Sequence, residues 1–296
     1  MSFQFNPDFR YRMPVVFGPA SGPRQKPGGG MWTKEETGTM RSEWMAVSYR
    51  TDRKKLEALL PPGFSLRGEA IVTVSCAWFK DLYWLAGRGY GIVSVDFPVT
   101  YRGKHEELEG TFCPVIWEGQ PDAIVTGREE LGFPKLFANV TPISWDRERS
   151  AATCSASWFD HTFFEIELTQ LTEVGGAPRL PGAGGGAAMY YKYMPRSSIA
   201  GREGADVVYV TTAAPPPGAT ARPDNISFDG FEFNRWNAKG SLAWNRATFE
   251  QLPLTFHIVN ALADLDLIEF VNAELVTFSG PGIGISVNTM RAVEPA

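Results

Sequence analysis

Stretches rich in β-branched and aromatic residues recur along the first half of the sequence and constrain the fold more than any other feature. Residues 71–79, 91–95, 111–117 and 150–159 each have this composition, and turn-forming residues separate them. Repeated short strands of this kind are typical of an antiparallel sheet closed on itself. We therefore predict a mainly β (α+β) protein, whose large antiparallel sheet is closed into a cone-like β-barrel and accompanied by a few short helices.

Helical spacing interrupts the strand pattern at a few places. Residues 52–60 begin with an N-cap candidate, Asp52, and carry leucines on one face, which predicts a short helix. A second helix is predicted after Pro253, followed by a strand over residues 267–276. Residues 120–130 are predicted to form a short helix or turn that ends before Pro134.

The first 39 residues differ in composition from the rest of the chain. Glycine and proline are frequent in them, as in residues 18–23 and 27–30, and these residues do not sustain a helix or a central strand. We interpret residues 1–39 as an N-terminal arm and residues 40–296 as one β-barrel domain. The arm is also rich in apolar side chains, so it either wraps a neighbouring subunit or packs on its own barrel. One functional hypothesis is therefore an assembly or interaction protein that uses this arm.

Charge and composition exclude several classes of function. The net charge of -5 provides no basic face for phosphates, so we expect no nucleic-acid partner. There is no signal-peptide pattern and no apolar run of about 18 residues, so we expect a cytoplasmic protein without membrane contact. The sequence has no motif for a nucleotide or flavin, and its histidines and cysteines are widely spaced, so we expect neither cofactor nor metal. Cys76, Cys113 and Cys154 are predicted to be buried free thiols.

A single lysine, Lys135, stands among apolar residues after a charged stretch. Phe133 and Pro134 precede it, and Leu136 and Phe137 follow it. An amine in such surroundings has little water to stabilise its ammonium form, which favours the neutral nucleophile. Lys135 is therefore a candidate for imine chemistry. The alternative is that its stem covers apolar surface while its head stays in water.

The segment around this lysine resembles a known active-site segment. Gly127-Arg128-Glu129, followed by Gly132-Phe133-Pro134-Lys135, is similar to the corresponding segment of the acetoacetate decarboxylase superfamily. Residues 48–52, Ser-Tyr-Arg-Thr-Asp, resemble an earlier segment of the same family. The resemblance implies that Lys135 is a Schiff-base lysine in a lyase, that the substrate is a small 2-oxo or 3-oxo acid, and that the protein is a homo-oligomer.

Three positions depart from the decarboxylase pattern. Leu136 stands where decarboxylases have a second lysine, the loop at residues 85–91 lacks the family's glutamate, and Ser75 stands near a second family acid. Glu269 or Glu274 could replace these acids, although such residues more often face solvent. The losses favour aldolase/dehydratase chemistry on a pyruvate-like 2-oxo acid. An acetoacetate decarboxylase acting on a 3-oxo acid is the first alternative, and a non-catalytic barrel that binds a small acid is the second.

A substrate that carries a carboxylate also needs a cation in its pocket. Arg41, Arg88 and Arg128 are the candidate substrate-binding cations, and Glu129 is a further candidate binding residue. If their segment is extended, the adjacent Arg128 and Glu129 point to opposite faces, so only one of them could face the pocket. Each arginine could instead be a solvated charge or an ion-pair partner.

Overall fold

The protein is built around one large β-sheet. The computed structural model describes residues 3–175, 186–198, 204–219, 230–282 and 290–295. Within them, fifteen strands join a single, mostly antiparallel sheet, so the predicted mainly β class is confirmed. The strands are β1 (Thr39–Arg50), β2 (Phe64–Leu66), β3 (Ile71–Leu82), β4 (Arg88–Arg102), β5 (Glu107–Glu118), β6 (Lys135–Phe137), β7 (Asn139–Val140), β8 (Ser144–Asp146), β9 (Ala151–Trp158), β10 (His161–Val174), β11 (Ala187–Pro195), β12 (Ala205–Thr212), β13 (Glu232–Trp244), β14 (Glu269–Pro281) and β15 (Arg291–Val293).

The predicted closure into a cone-like barrel is not confirmed. The sheet runs in the order β15-β12-β11-β5-β4-β3-β1-β14-β13-β10-β9-β7, and β15 and β7 do not pair with each other in the described part of the chain. A short segment connects distant parts of this path instead. Lys135–Phe137 pairs in parallel with β5, and Asn139–Val140 pairs with β9. The segment that begins with Lys135 therefore lies between two regions of the sheet.

Short helices occupy the connections between strands. Those described are α1 (Lys34–Thr37), α2 (Arg53–Glu57), α3 (Pro121–Thr126), α4 (Phe256–Ala263), a π-helical turn (Gly127–Leu131) and two 3₁₀ turns (Val15–Phe17 and Tyr83–Leu85). Asp52 caps α2 as predicted, because its side chain accepts a hydrogen bond from the backbone N–H of Lys55 at 2.9 Å. The helices predicted at residues 52–60 and after Pro253 both exist but are shorter than their apolar patterns. The helix expected near residues 120–130 is α3 together with the π-helical turn.

The two faces of β4 and β5 have different environments. On one face, Val93, Val95 and Trp117 belong to the main hydrophobic core. On the opposite face, alternate side chains of the two strands, such as Ser94 and Asp96, line a cavity. A β-bulge interrupts the pairing of β4 with β5, since Val95 pairs with Val115 but Phe97 pairs with Phe112. The extra residue on β5 reverses which of its side chains face the core.

The N-terminal arm packs on its own chain. The hydroxyl of Tyr83 donates a hydrogen bond to the carbonyl of Pro23 at 2.8 Å, and the rings of Trp32 and Tyr83 meet edge to face at 5.1 Å. The arm also contains the helix α1, contrary to the expectation that it would hold none. Phe17 and Met13 are 85% and 78% exposed, so this packing leaves part of the arm's apolar surface uncovered. Its predicted contact with a neighbouring subunit stays a prediction.

Two composition-based expectations bear on the described residues. Cys76, Cys113 and Cys154 are buried and free, as predicted. Among the helices described, none has the length and apolar character needed to cross a membrane.

Candidate active site

A cavity of about 330 Å³ opens against the face of β4, β5 and β6 that lies away from the main core. Its size falls in the range of sites for small molecules. Most of its wall is apolar, including Trp44, Phe79, Trp84, Leu131 and Phe278. The polar groups of the wall are concentrated on the strands β4, β5 and β6 and on the N-terminal arm.

Lys135 is a buried member of this wall. It is 7% exposed, and its Nζ lies 2.6 Å from Oε1 of Glu118. The same ammonium donates a hydrogen bond to the carbonyl of Ala123 at 3.2 Å and lies 5.3 Å from the centre of the Phe133 ring. The alternative in which the lysine head stays in water does not hold, because both the head and its carboxylate partner are buried.

The chain before Lys135 explains this position. Helix α3 continues into the π-helical turn Gly127–Leu131, which Gly132 ends in a left-handed conformation at φ 79°. Gly127 lies directly against the lysine, since a Cβ placed on it would come within 2.5 Å of Cδ and Cε of Lys135 and 2.8 Å of Nζ. Only glycine leaves the space that the lysine side chain fills. π-Helical turns of this kind are frequent at functional sites.

Glu118, the last residue of β5, is 2% exposed. Burial raises the pKa of its carboxyl above the usual value, although the ammonium of Lys135 opposes that rise. Oε1 contacts the lysine, whereas Oε2 is buried without a hydrogen-bond partner in the described structure. A carboxylate in this state accepts a proton more readily than an exposed one.

A second acid, Asp96, lies on the neighbouring strand β4. Burial raises the pKa of Asp96 to about 7, with an opposing effect from Ser94, whose hydroxyl is 3.5 Å from Oδ2. Ser94 pairs with Ile116, which in turn pairs with Lys135, so these residues share one level of the sheet. Asp96 lies two residues further along β4, a distance of about 7 Å at the usual strand rise. Lys135, Ser94 and Asp96 all line the cavity.

Two tyrosines and a cysteine add further polar groups to the wall. Burial raises the pKa of Tyr190 and of Cys113, and the charge of Asp96 adds to both shifts. Burial also raises the pKa of Tyr90, with a further contribution from Glu118. These groups therefore stay protonated near neutral pH and can donate hydrogen bonds. No group of three or more His, Cys, Asp or Glu side chains in the described ranges could hold a metal ion.

Of the five residues predicted for the site, only Lys135 lines the cavity. Arg41 is on the surface and forms an ion pair with Asp81. Arg88 is exposed, and its guanidinium donates a hydrogen bond to the carbonyl of Leu85 at 3.2 Å.

The remaining two predicted residues lie next to the cavity but outside its wall. Arg128 and Glu129 belong to a helical turn, as predicted for residues 120–130, so the opposite orientation that an extended segment would give them does not apply. The guanidinium of Arg128 donates to the backbone carbonyl of Lys135 at 2.9 Å, and the backbone carbonyl of Glu129 accepts from Lys192 at 2.7 Å. Both contacts stabilise the backbone around the lysine.

The acids of the pocket are not the ones that the sequence suggested. Loop residues 85–91 carry none, but Glu118 and Asp96 enter the cavity from β5 and β4. Each directly follows a stretch predicted as a strand, and an acid bordering a buried strand is the signal that could have identified them. Glu274 is not solvent-facing as expected: it is 2% exposed and pairs with Arg235 at 2.9 Å, outside the cavity.

Solved structures share this fold. The enduracididine biosynthesis enzyme MppR complexed with pyruvate has a TM-score of 0.59 and 14% identity, covering 86% of this chain and 89% of that one. Acetoacetate decarboxylase from Legionella pneumophila has a TM-score of 0.61 and 17% identity, covering 90% and 92%. An acetoacetate decarboxylase-like enzyme from Sphingomonas wittichii has a TM-score of 0.60 and 16% identity, covering 87% and 93%. At these identities the likeness establishes the fold alone.

Sequence comparison identifies the family. "Acetoacetate decarboxylase 2" of Mesorhizobium japonicum is 31% identical over 102 residues, which span 33% of this chain and only 35% of that protein. The family model described as Acetoacetate decarboxylase (ADC) matches residues 12–215, a range that includes most of the arm and all the polar groups of the cavity wall. The chain therefore belongs to the acetoacetate decarboxylase family.

Proposed function

We propose that the protein is a lyase that forms a Schiff base between Lys135 and a small 2-oxo or 3-oxo acid, and that it acts as an aldolase/dehydratase rather than as a true acetoacetate decarboxylase. The observation that carries this proposal is the buried lysine with its Nζ 2.6 Å from a buried carboxylate, on the wall of a cavity sized for a small molecule. We also retain as proposals the homo-oligomer implied by the family and the cytoplasmic location.

The chemistry begins with a proton transfer. The ammonium of Lys135 passes a proton to Glu118, whose raised pKa makes it a better acceptor than an exposed carboxylate. The neutral amine attacks the ketone carbon, and the resulting carbinolamine loses water, with Glu118 returning a proton to the departing hydroxyl. The product is a protonated imine, whose nitrogen takes the electron pair released when a neighbouring C–H or C–C bond breaks.

Asp96 supports aldol addition and dehydration over decarboxylation. These reactions move protons at a carbon or hydroxyl beyond the imine carbon, and Asp96 lies about 7 Å along the sheet from the level of Lys135. With a pKa of about 7, its carboxyl can both donate and accept a proton near neutrality. Decarboxylation needs one proton, delivered to the carbon next to the imine carbon after CO2 has left, whereas dehydration also needs one at the hydroxyl of the carbon beyond.

Decarboxylation of a 3-oxo acid remains the second candidate. It is favoured by the mainly apolar wall, because removal from water destabilises a substrate carboxylate relative to neutral CO2. A non-catalytic binder has less support, since Lys135 would have to exchange Glu118 for the ligand's carboxylate.

Trapping the imine tests the proposed function directly. We expect borohydride reduction with pyruvate, and separately with acetoacetate, to leave a ligand-sized adduct on the peptide that contains Lys135, measured by mass spectrometry. Lys135→Ala and the better-packed Lys135→Met serve as controls and should carry no adduct. Release of CO2 would identify a decarboxylase. Absence of an adduct with these and other oxo acids would contradict the lyase and favour the binder.

The role of Glu118 can be tested by replacing its carboxylate with an amide of similar size. We expect Glu118→Gln to slow imine formation about 100-fold, because the amide cannot take the proton from Lys135. The trapping rate with pyruvate measures this effect. Glu43→Gln is the matched control, since Glu43 pairs with Lys80 at 3.0 Å outside the cavity. Equal rates for the two variants would show that Glu118 is not the proton acceptor.

Gly127 provides a test of the lysine's position. Its backbone torsions, φ -66° and ψ -43°, suit alanine, so Gly127→Ala should fold. The added Cβ would displace the flexible end of Lys135 from Glu118, and we expect a loss of about tenfold or more in trapping, equivalent to about 1.4 kcal/mol. Gly175→Ala is the control, because a Cβ there meets nothing within 4 Å. Unchanged trapping in Gly127→Ala would refute the close approach.

The pKa of Asp96 predicts a pH-dependent stability. Because the folded pKa of about 7 exceeds that of an unfolded aspartate, stability from protonated Asp96 is present at low pH and lost as pH rises from about 4 to about 7. Between pH 5 and 8, the free energy of unfolding of the wild type should fall by about 2–3 kcal/mol relative to Asp96→Asn in urea denaturation.

A matched control for this experiment is Asp81→Asn. Arg41 lowers the pKa of Asp81, so that carboxylate stays ionised from pH 5 to 8 and its removal should give a difference independent of pH. If Asp96→Asn likewise shows the same difference at both pH values, the raised pKa of Asp96 is wrong.

A further inference from the structure

A loop of the N-terminal arm forms part of the cavity wall. Gly22 and Gln25 close this loop with two backbone hydrogen bonds of 2.8 and 3.3 Å. The loop places Pro23 and Arg24 in the wall, and the hydroxyl of Tyr83 binds the carbonyl of Pro23. The arm of the same chain therefore completes the cavity.

Arg24 is the buried cation of this loop. Its side chain is 3% exposed, and its Nε and Nη2 donate to Oε2 of Glu130 at 2.8 and 2.7 Å. Its Nη1 donates no hydrogen bond to any residue that the structure describes. Burial lowers the pKa of Arg24, and Glu130 opposes this effect, but a guanidinium stays charged in proteins.

Positive charge is in excess around Glu130. Arg12 pairs with its Oε1, and Arg10 approaches its Oε2 at 4.0 Å, in addition to the contacts of Arg24. Three guanidinium groups thus surround one carboxylate, which leaves two positive charges uncompensated within this cluster. The side chain of Arg10 is 48% exposed, but those of Arg12 and Arg24 are 14% and 3% exposed, so one of the excess charges lies away from water, where an anion stabilises it.

Arg24 and Lys135 lie on the wall of one cavity and are held by the same π-helical turn. Arg24 binds Glu130 of this turn, and Lys135 packs against Gly127 at its start. The two side chains are therefore on neighbouring parts of the wall.

We propose that Arg24 is the specificity-determining cation of this site, and that it binds the carboxylate of the substrate through its free guanidinium edge. The proposal deepens the proposed function, because the anion would be the carboxylate of the oxo acid that Lys135 attacks. Arg24 takes the role that the sequence suggested for Arg41, Arg88 or Arg128, none of which lines the cavity. An oxo acid would place its carboxylate at Arg24 and its ketone at Lys135. A neutral ketone has no carboxylate for Arg24 to bind, so Arg24 would favour the oxo acid.

Binding of an unreactive acid tests this role without imine chemistry. Butanoate and its neutral counterpart butanamide can be titrated into the full-length protein, with the fluorescence of Trp44 and Trp84 in the wall as the signal. We expect the wild type to bind butanoate about tenfold or more tightly than butanamide, as a charge-assisted hydrogen bond predicts. Arg24→Gln should lose this preference, and absence of a preference in the wild type would overturn the proposal.

Two matched variants distinguish binding from a structural effect of the arm. Arg12→Gln also removes a contact with Glu130, but Arg12 does not line the cavity, so the preference for butanoate should persist. Arg41→Gln removes an exposed arginine and should likewise have no effect. If Arg12→Gln loses the preference as fully as Arg24→Gln, the arm acts only as a structural support and the proposal fails.

Borohydride trapping with pyruvate and with acetone separates this proposal from the proposed function. If the wild type forms no adduct but prefers butanoate in a manner that depends on Arg24, the anion site is supported and the lyase function is contradicted. If the wild type is trapped efficiently but the preference for butanoate persists in Arg24→Gln, the lyase function is supported and the role of Arg24 is contradicted. With both correct, Arg24→Gln should reduce trapping of pyruvate and leave that of acetone unchanged.

Discussion

The buried ion pair between Lys135 and Glu118 is the interaction on which the site depends. Each group would be strongly destabilised alone, since a buried charge without its partner costs several kcal/mol. Their 2.6 Å contact compensates both, and the raised pKa of Glu118 keeps proton exchange between them accessible. The parallel pairing of β6 with β5 holds the two backbones together, and the space left by Gly127 admits the lysine side chain.

One π-helical turn links this ion pair to the N-terminal arm. Gly127, at its start, contacts the lysine, and Glu130, three residues later, binds Arg12 and Arg24 from the arm. The turn therefore couples the position of Lys135 to the wall segment that the arm supplies. In this arrangement, an arm that composition describes only as irregular and apolar becomes part of the site.

The sequence was informative where local pattern decides structure. The strand pattern predicted a mainly β protein, Asp52 marked the start of a helix, and the apolar surroundings of Lys135 raised burial as one of two interpretations, the one that the structure shows. Prediction failed where a bulge or a distant contact intervenes. The extra residue on β5 reverses the alternation of side chains after Phe112 and turns Glu118 toward the cavity, which a regular strand pattern does not reveal.

The sequence by itself determined the family, the β class and the candidate lysine, because these follow from motifs and periodicities within a few residues. Tertiary structure alone decided which charged groups share the cavity with that lysine. Glu118 lies 17 residues before Lys135, Asp96 is on another strand, and Arg24 is in the arm. Their meeting depends on strand order, register and one bulge, and these are set by packing between segments that are far apart along the chain.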